Sequence, residues 1–238
     1  MMNDTEASTE QLMLFCLERG YLKMKLHVDL KERGYDIVLE RGVLNRIAEE
    51  IDVGRRILLV SDSGVPAKWV ELVRAQCPDC VVKIVRSGEE AKSFPVWEEL
   101  LLCMKEHHFV RKDLVIALGG GVVGDLTGFA AACYMRGIDF VNIPTTTLSQ
   151  IDSSIGGKTA INAGGVKNNV GAFWQPRKVL IDLDVLATLP RRHYINGLAE
   201  ALKAGLIYDP QLFALFEQQD IDAHLEEIIY RSLCMKKA

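Results

Sequence analysis

Residues 113–125 read Asp-Leu-Val-Ile-Ala-Leu-Gly-Gly-Gly-Val-Val-Gly-Asp, an apolar run that breaks into three consecutive glycines. The apolar part, 113–118, has the composition of a buried strand, and Gly119, Gly121 and Gly124 satisfy G-x-G-x-x-G between a strand and a helix. Backbone N–H groups of such a turn can approach an anion closely. The stretch therefore predicts a strand–turn–helix unit that contacts a phosphate group. A tight turn with close helix packing is the alternative explanation of the same glycines.

Helix and strand patterns alternate on both sides of this unit. Apolar runs separated by amphipathic segments are typical of a parallel sheet that has helices on both faces. The predicted fold class is therefore α/β with a mostly parallel sheet, preceded by a hairpin formed by 24–30 and 35–39. The predicted strands are 57–62, 81–86, 114–118 and 139–143, and the predicted helices are 43–51, 66–76, 94–108 and 122–135. Ligands of such sheets bind beyond the carboxyl ends of the strands.

Helical patterns dominate after residue 190. A helix is predicted near 194–207, Asp209-Pro210 ends it, and two further helical stretches follow. In the last of these, apolar residues recur at helical spacing, at Leu225, Ile228, Ile229 and Leu233. Because the chain stops at Ala238, this apolar face is expected to be exposed and to favour self-association.

The composition is that of an ordinary soluble globular protein, with 49% hydrophobic and 25% charged residues. A formal net charge of −4 does not suggest binding to nucleic acid. No run approaches the ~20 apolar residues of a membrane span, and the polar, acidic start MMNDTEASTE lacks the features of a secretory signal or transit peptide. We expect a cytoplasmic protein with no membrane partner. Its expected segments are a tail (1–23), a nucleotide-binding α/β domain (24–190) and the start of an α-helical domain (191–238).

Cysteines and histidines give no clear metal signal. The six cysteines lie at 16, 77, 80, 103, 133 and 234. Cys77-Pro78-Asp79-Cys80 could bind a metal or support redox chemistry, but without a second pair it is more typical of a turn between a helix and a strand. The histidines, at 27, 107, 108, 193 and 224, form no ligand spacing with Glu200. Glu200 and Lys203 are explained equally well by a surface ion pair on one helix face.

Charged and polar residues accompany the glycine-rich segments. Arginine as a bidentate fork and lysine as a point charge would suit an oxyanion-rich substrate. The candidates for such a site are Arg136, Asp152, Lys158, Lys167 and Asn168. Upstream, Asp62 and Glu89 could accept hydrogen bonds from ribose hydroxyls, and Lys92 could bind a phosphate or a ring. Taken singly, each is better explained by a solvated surface charge.

Taken together, these blocks resemble the 3-dehydroquinate synthase family of sugar-phosphate cyclases. The resemblance covers about residues 24–236, and chance agreement on so many ordered blocks is negligible. The blocks are Ser61-Asp62, Gly88-Glu89-x-x-Lys92, Gly119-Gly120-Gly121-x-x-Gly124-Asp125, Tyr134-Met135-Arg136-Gly137, Pro144-Thr145-Thr146, Asp152-Ser153-Ser154-x-Gly156-Gly157-Lys158-Thr159, Lys167-Asn168, Gly171-Ala172-Phe173-x-Gln175-Pro176, Leu186-x-Thr188-Leu189-Pro190 and Gly197-x-Ala199-Glu200-x-x-Lys203-x-Gly205.

The resemblance implies a tightly held NAD and a divalent ion, zinc or cobalt. The residues it implies in cofactor binding are Asp62, Glu89, Lys92, Gly120, Gly121, Asp125, Thr145, Thr146, Asp152, Lys158, Lys167 and Thr188. The residues it implies around the substrate are Arg136, Asp152, Lys158, Lys167, Asn168 and Lys203. Glu200 is the implied metal ligand.

The implied activity belongs to the shikimate pathway. It is the conversion of 3-deoxy-arabino-heptulosonate 7-phosphate (DAHP) to 3-dehydroquinate and phosphate, by an enzyme expected to be a homodimer. Related cyclases that make an inosose or a valiolone, and a noncatalytic NAD-binding fragment, are the alternatives. The family continues into a longer helical domain with two metal-binding histidines. Because no match to that part is present here, we expect an incomplete metal ligand set and a truncated or degenerate chain.

Overall fold

The computed structural model describes residues 23–237. Cys16 and the expected tail, apart from Lys23, lie outside the described residues. Within the described range the strands are β1 (Met24–Val28), β2 (Tyr35–Leu39), β3 (Ile57–Asp62), β4 (Cys80–Val85), β5 (Leu114–Gly119), β6 (Asp139–Pro144), β7 (Lys158–Ala163), β8 (Val166–Phe173) and β9 (Lys178–Ile181). The helices are α1 (Ala67–Arg74), α2 (Phe94–Glu106), α3 (Gly121–Cys133), α4 (Arg191–Tyr208), α5 (Pro210–Phe216) and α6 (Leu225–Lys237).

Seven strands form one sheet, in the order β1-β2-β9-β6-β5-β3-β4. β1 runs antiparallel to β2, and every other pairing in this sheet is parallel. The α/β class, the mostly parallel sheet and the opening hairpin are therefore confirmed. The order places β5 and β6 in the interior of the sheet, so the glycine turn after β5 opens near its middle.

Alternation of side chains along the central strands builds one core on each face of the sheet. In β5, Leu114, Ile116 and Leu118 contribute to one core, whereas Val115 and Ala117 contribute to the other. All five are at most 2% exposed. Full burial of such a side chain stabilises the fold by roughly 1.5–3 kcal/mol for the larger residues, and this burial explains why the apolar run 113–118 could be recognised as a strand.

The helices cover both faces of the sheet. Leu100 and Met104 of α2 and Leu126 of α3 enter one core, and Val70 and Val73 of α1 enter the other. The helix predicted at 43–51 is instead a 3-10 segment, Val43–Glu49, that is kinked at Arg46. Cys77 and Cys80 flank the turn between α1 and β4, as the turn interpretation of their spacing predicted.

The C-terminal helices pack against the first core. The apolar residues of α6, Leu225, Ile228, Ile229 and Leu233, are at most 6% exposed and join the same cluster as β1 and β2. The expectation that this face is exposed is wrong, and with it the argument that it drives self-association. The partner that the face requires lies within the chain, because α6 contacts β1, α4 and the turn at Ser149–Ser153.

A second, two-stranded sheet was not anticipated. β7 and β8 pair antiparallel and are joined by Gly164 and Gly165, both at positive φ (60° and 78°). Glycine adopts this conformation without the steric cost that a side chain brings. The hairpin packs on α3, where Gly128 lies so close to Thr159 that a Cβ on the glycine would come within 2.4 Å of the threonine methyl.

Candidate functional site

The glycine turn connects β5 to α3 at the carboxyl edge of the sheet. Gly120 is the N-cap of α3, and no side chain caps the helix. A Cβ on Gly121 would lie 2.9 Å from Ser153 Oγ, and one on Gly120 would lie 3.1 Å from Thr146 Cγ2. The glycines therefore allow the segment after β6 to pack closely, and they also leave the first N–H groups of α3 free to bind an anion. The geometry confirms the close packing and leaves anion contact by these glycines as a prediction.

A buried ammonium group lies beside this turn. The side chain of Lys92 is 4% exposed, and its Nζ donates to Asp125 Oδ2 at 2.6 Å and to Asn168 Oδ1. Glu89 Oε1 is 3.8 Å from the same nitrogen. A buried charge is tolerated when it is paired and hydrogen-bonded. The structure thus brings together four residues that the sequence nominated separately, on three different elements.

Asp125 is the fifth residue of α3, at the start of the second turn. Burial raises the pKa of its carboxyl above the ordinary value, and the ammonium of Lys92 offsets only part of that effect. Burial of this carboxylate therefore costs free energy, and Lys92 compensates only part of that cost. A hydrogen-bond donor on a bound ligand would compensate more of it. Perturbed titration next to an uncapped helix N-terminus is typical of a functional site.

Asn162 connects these residues and was missed by the sequence argument. Its Nδ2 donates to Glu89 Oε1 at 2.9 Å, and its Oδ1 accepts from the backbone N–H of Asn168 at 2.8 Å. Its own N–H donates to the carbonyl of Lys92 at 2.8 Å. Asn162 therefore fixes the hairpin to the Glu89–Ala91 turn. Gly164-Gly165 between two short β-like runs was the signal that could have placed it on a hairpin.

Asp62 ends β3 at the same edge of the sheet. Its Oδ1 accepts from the N–H of Gly64 at 2.6 Å. A cavity of about 480 Å³ opens here, lined by residues 62–67 together with Val70, Glu71, Val82 and Ile84. This volume lies within the ~300–1,000 Å³ that small-molecule sites occupy.

A second charged group forms where α4 meets the Ser149–Ser153 turn. Gly197 allows this contact, because a Cβ there would lie 2.3 Å from the backbone nitrogen of Leu148. Glu200 pairs with Lys203 on the helix, and Lys236 of α6 pairs with Asp152. The hydrogen bond from Glu200 raises the pKa of Lys203, and the charge of Asp152 adds to that effect.

The residues present do not fit a protein-held metal. Within residues 23–237, no three His, Cys, Asp or Glu side chains are grouped closely enough to hold an ion. The carboxylate of Glu200, the implied ligand, is occupied by Lys203. A structural or catalytic metal site needs three or four protein ligands.

Among the described residues, the side chains of the remaining candidates make no hydrogen bond or ion pair with these two groups. Arg136 is exposed, has φ of 64° and precedes β6, so it lies at the amino edge of the sheet, opposite the glycine turn. Lys158 begins β7 opposite Phe173, and Lys167 is exposed on β8. Thr188 Oγ1 accepts from Trp69 Nε1 at 2.8 Å and donates to the carbonyl of Val185.

Thr145 and Thr146 follow β6 directly. Thr145 N–H donates to the carbonyl of Gly119 at 2.9 Å, which ties this loop to the glycine turn. Thr146 and Ser149 exchange hydrogen bonds with each other. Ser153 Oγ, next to Gly121, is buried and has no hydrogen-bond partner among the described residues. A buried hydroxyl without a partner beside free helix N–H groups fits a bound phosphate.

Comparison with known proteins shows which family the chain resembles. A family model described as 3-dehydroquinate synthase N-terminal matches residues 82–196, which contain the glycine turn, the hairpin and the start of α4. The 3-dehydroquinate synthase of Pseudoalteromonas translucida is 45% identical over 219 residues. This chain belongs to the 3-dehydroquinate synthase family. The match covers 87% of the chain and 61% of that relative, so the chain spans about three fifths of the relative's length.

Solved structures of related cyclases share the fold of this family member. The 2-epi-5-epi-valiolone synthase of Streptomyces hygroscopicus, determined with NAD+ and Zn2+, superimposes with a TM-score of 0.74 at 32% identity and covers 86% of this chain and 60% of its own. A 2-deoxy-scyllo-inosose synthase, determined with carbaglucose-6-phosphate, NAD+ and Co2+, gives a TM-score of 0.73 at 28% identity and covers 77% of this chain and 52% of its own. Among residues 23–237 no helix combines the length and the apolar character needed to cross a bilayer.

Proposed function

We propose that this chain carries the NAD-binding and part of the substrate-binding machinery of a 3-dehydroquinate synthase, an enzyme that converts DAHP to 3-dehydroquinate and phosphate. The observation that carries the proposal is the buried ammonium of Lys92, shared by Asp125 and Asn168 beside the uncapped N-terminus of α3. The proposed division is a nucleotide-binding domain over 24–190 and the start of a helical domain over 191–238. A homodimer in the cytoplasm is proposed on the family resemblance.

The dinucleotide fits the residues at the carboxyl edge of the sheet. The first N–H groups of α3, after Gly120 and Gly121, would bind the pyrophosphate. Asp62, beside the cavity of about 480 Å³, would accept hydrogen bonds from a ribose. When bound, NAD would take a hydride from a ring alcohol and return it after phosphate has been eliminated, so that no net redox change occurs.

Exposed cationic side chains are proposed to bind the substrate. Lys158, Lys167 and Lys203 are exposed and would bind the carboxylate and phosphate of the substrate. Asp152 is proposed as a further substrate contact on the resemblance. Arg136 is proposed on the resemblance alone, because the fold places it at the amino edge of the sheet, opposite the glycine turn. The related cyclases hold zinc or cobalt, but Glu200 alone does not form a metal site here, so no step is assigned to a metal.

Substrate choice tests the proposal against its rivals. With NAD bound, calorimetry should show that DAHP binds more tightly than sedoheptulose 7-phosphate or glucose 6-phosphate. Of the three, only DAHP carries a carboxylate in addition to its phosphate. Preference for either of the other sugar phosphates would place the chain with the valiolone or inosose cyclases. NAD binding without affinity for any sugar phosphate would favour a noncatalytic dinucleotide-binding module.

Asn162 provides a second prediction. Replacing it with alanine removes the partners of Glu89 Oε1 and of the Asn168 N–H. At about 1 kcal/mol for each of the two net hydrogen bonds, NAD affinity should fall by up to about 30-fold, as measured by calorimetry. The free energy of unfolding in urea should also fall, by about 1–2 kcal/mol.

Asn169→Ala is the matched control. Asn169 also makes two hairpin hydrogen bonds, both to Ala163, but it contacts none of the proposed NAD residues. This variant should lose stability and keep its NAD affinity. Equal loss of NAD affinity in both variants would show that Asn162 only maintains the hairpin.

A further inference from the structure

A cleft of about 710 Å³ opens at the amino edge of the central sheet, opposite the glycine turn. Its walls are residues that come just before adjacent strands. Arg33 precedes β2, Arg177 precedes β9, Arg111 and Lys112 precede β5, and Arg55 precedes β3. These four strands and β6, which lies between β9 and β5, run parallel. Their amino ends therefore lie along one edge of the sheet, where the cations that precede four of the strands form one basic surface.

Two of the five cations are partly neutralised. Asp139, at the start of β6, accepts from Arg55 at 2.9 Å and from Arg177 at 2.7 Å. Burial alone would raise the pKa of Asp139, but these two guanidinium groups hold it below the ordinary value. One carboxylate shared by two arginines leaves a positive excess.

The other three cations have no internal counterion. Arg33, Arg111 and Lys112 make no side-chain hydrogen bond or ion pair with any residue of 23–237. Glu32 and Asp139 are the acidic residues that line the cleft, so five cations face two carboxylates. A local excess of three positive charges contrasts with the net charge of −4 for the whole chain. Like charges gathered from several elements repel each other unless an anion lies between them.

We propose that this cleft binds a small polyanion, a molecule with at least two phosphate or carboxylate groups. Guanidinium groups suit both, because their N–H donors match two oxygens at once. The volume is that of a small-molecule site. Trp174, whose Nε1 donates to the carbonyl of Ile138 at 3.1 Å, forms a half-buried wall against which the carbon skeleton of the ligand packs. Neither NAD nor the proposed substrate contacts at the carboxyl edge account for this surface.

Inorganic pyrophosphate and citrate are the probes for the test. Each is titrated at constant ionic strength into the 1–238 protein already saturated with NAD, with heat and tryptophan fluorescence recorded. At least one should bind saturably and change the emission, and the fluorescence change should vanish in Trp174→Phe. Tighter binding of pyrophosphate would identify a phosphorylated ligand, and tighter binding of citrate a polycarboxylate; either result supports the site.

Paired variants locate the binding. Arg111→Ala combined with Lys112→Ala should weaken the anion at least about tenfold, because two charge-assisted contacts are lost. Lys105→Ala, an exposed cation on α2, and the pair Lys158→Ala and Lys167→Ala should leave the affinity unchanged. Circular dichroism confirms that each variant is folded. Absence of saturable binding by either probe, unchanged affinity in the Arg111 and Lys112 variant, or loss of binding in the Lys158 and Lys167 variant would overturn the proposal.

Discussion

Replacing Lys92 with methionine should abolish measurable NAD binding and lower the free energy of unfolding by about 3 kcal/mol. Methionine keeps the length of the side chain, so the loss reports the charge. Without the ammonium, the carboxylate of Asp125, now 2.6 Å from Nζ, is left in a largely buried position with no cation. Breaking such a pair costs far more than its net contribution, because one charge stays uncompensated. Urea unfolding and calorimetry with NAD measure the two effects.

The pH dependence of this variant has a definite sign. Burial already raises the pKa of Asp125, and removing Lys92 raises it further. A group whose folded-state pKa is raised contributes stability below its unfolded pKa and loses it as the pH rises through the folded value. The destabilisation by Lys92→Met should therefore be larger at neutral pH than in acid. A pH-independent loss would mean that packing, not the unpaired carboxylate, is responsible.

The double variant Lys92→Met and Asp125→Asn is the control. It removes both charges, so its unfolding free energy should lie closer to that of the wild type than the value for Lys92→Met alone. Neighbouring residues couple by roughly 0.5–3 kcal/mol in such cycles. If the two substitutions are additive, the pair does not stabilise the site as described.

The sequence allowed the sheet to be predicted because its strands are buried on both faces. The run at 114–118 is apolar throughout, as are the first four residues of β3, so local composition identifies these strands. In β6, Asn142 is the one polar residue between Phe140 and Ile143. β7 and β8 differ. Lys167, Asn168 and Asn169 are exposed, and a strand that packs only through a few residues on α3 carries no continuous apolar run. Polar hairpins are specified mainly by their turn.

The candidate site was predictable in composition and not in arrangement. Glu89, Lys92 and Asp125 could each be named from motifs, but the sequence does not reveal that one ammonium serves them together. Burial of Lys92 depends on the hairpin, whose residue Asn168 contacts it from 76 positions away. The expectation that α6 exposes an apolar face was wrong for a related reason, because one of its partners, β1, lies at the other end of the described chain.

The polypeptide of residues 1–238 should bind NAD and release no phosphate from DAHP at a rate typical of enzymes, ~1–1,000 per second. The residues proposed to bind the dinucleotide, from Asp62 to Thr188, all lie in the described range, so we expect the cofactor site to form. Metal polarisation is different, because Glu200 is paired with Lys203 and no three-ligand group exists within 23–237. Such polarisation supplies several kcal/mol to a transition state, and each 1.36 kcal/mol changes the rate tenfold.

The measurement combines activity with a metal-binding readout. Phosphate release is followed with NAD, DAHP and either zinc or cobalt, and the 3-dehydroquinate synthase of Pseudoalteromonas translucida serves as the active reference. Zinc affinity is measured by competition with a chromogenic chelator, for the wild type and for Glu200→Ala. We expect the two zinc affinities to be equal, because one carboxylate already held by an ammonium adds little to metal binding. Steady turnover by 1–238, or a clear loss of zinc affinity in Glu200→Ala, would show that other side chains of the polypeptide complete a ligand set with Glu200.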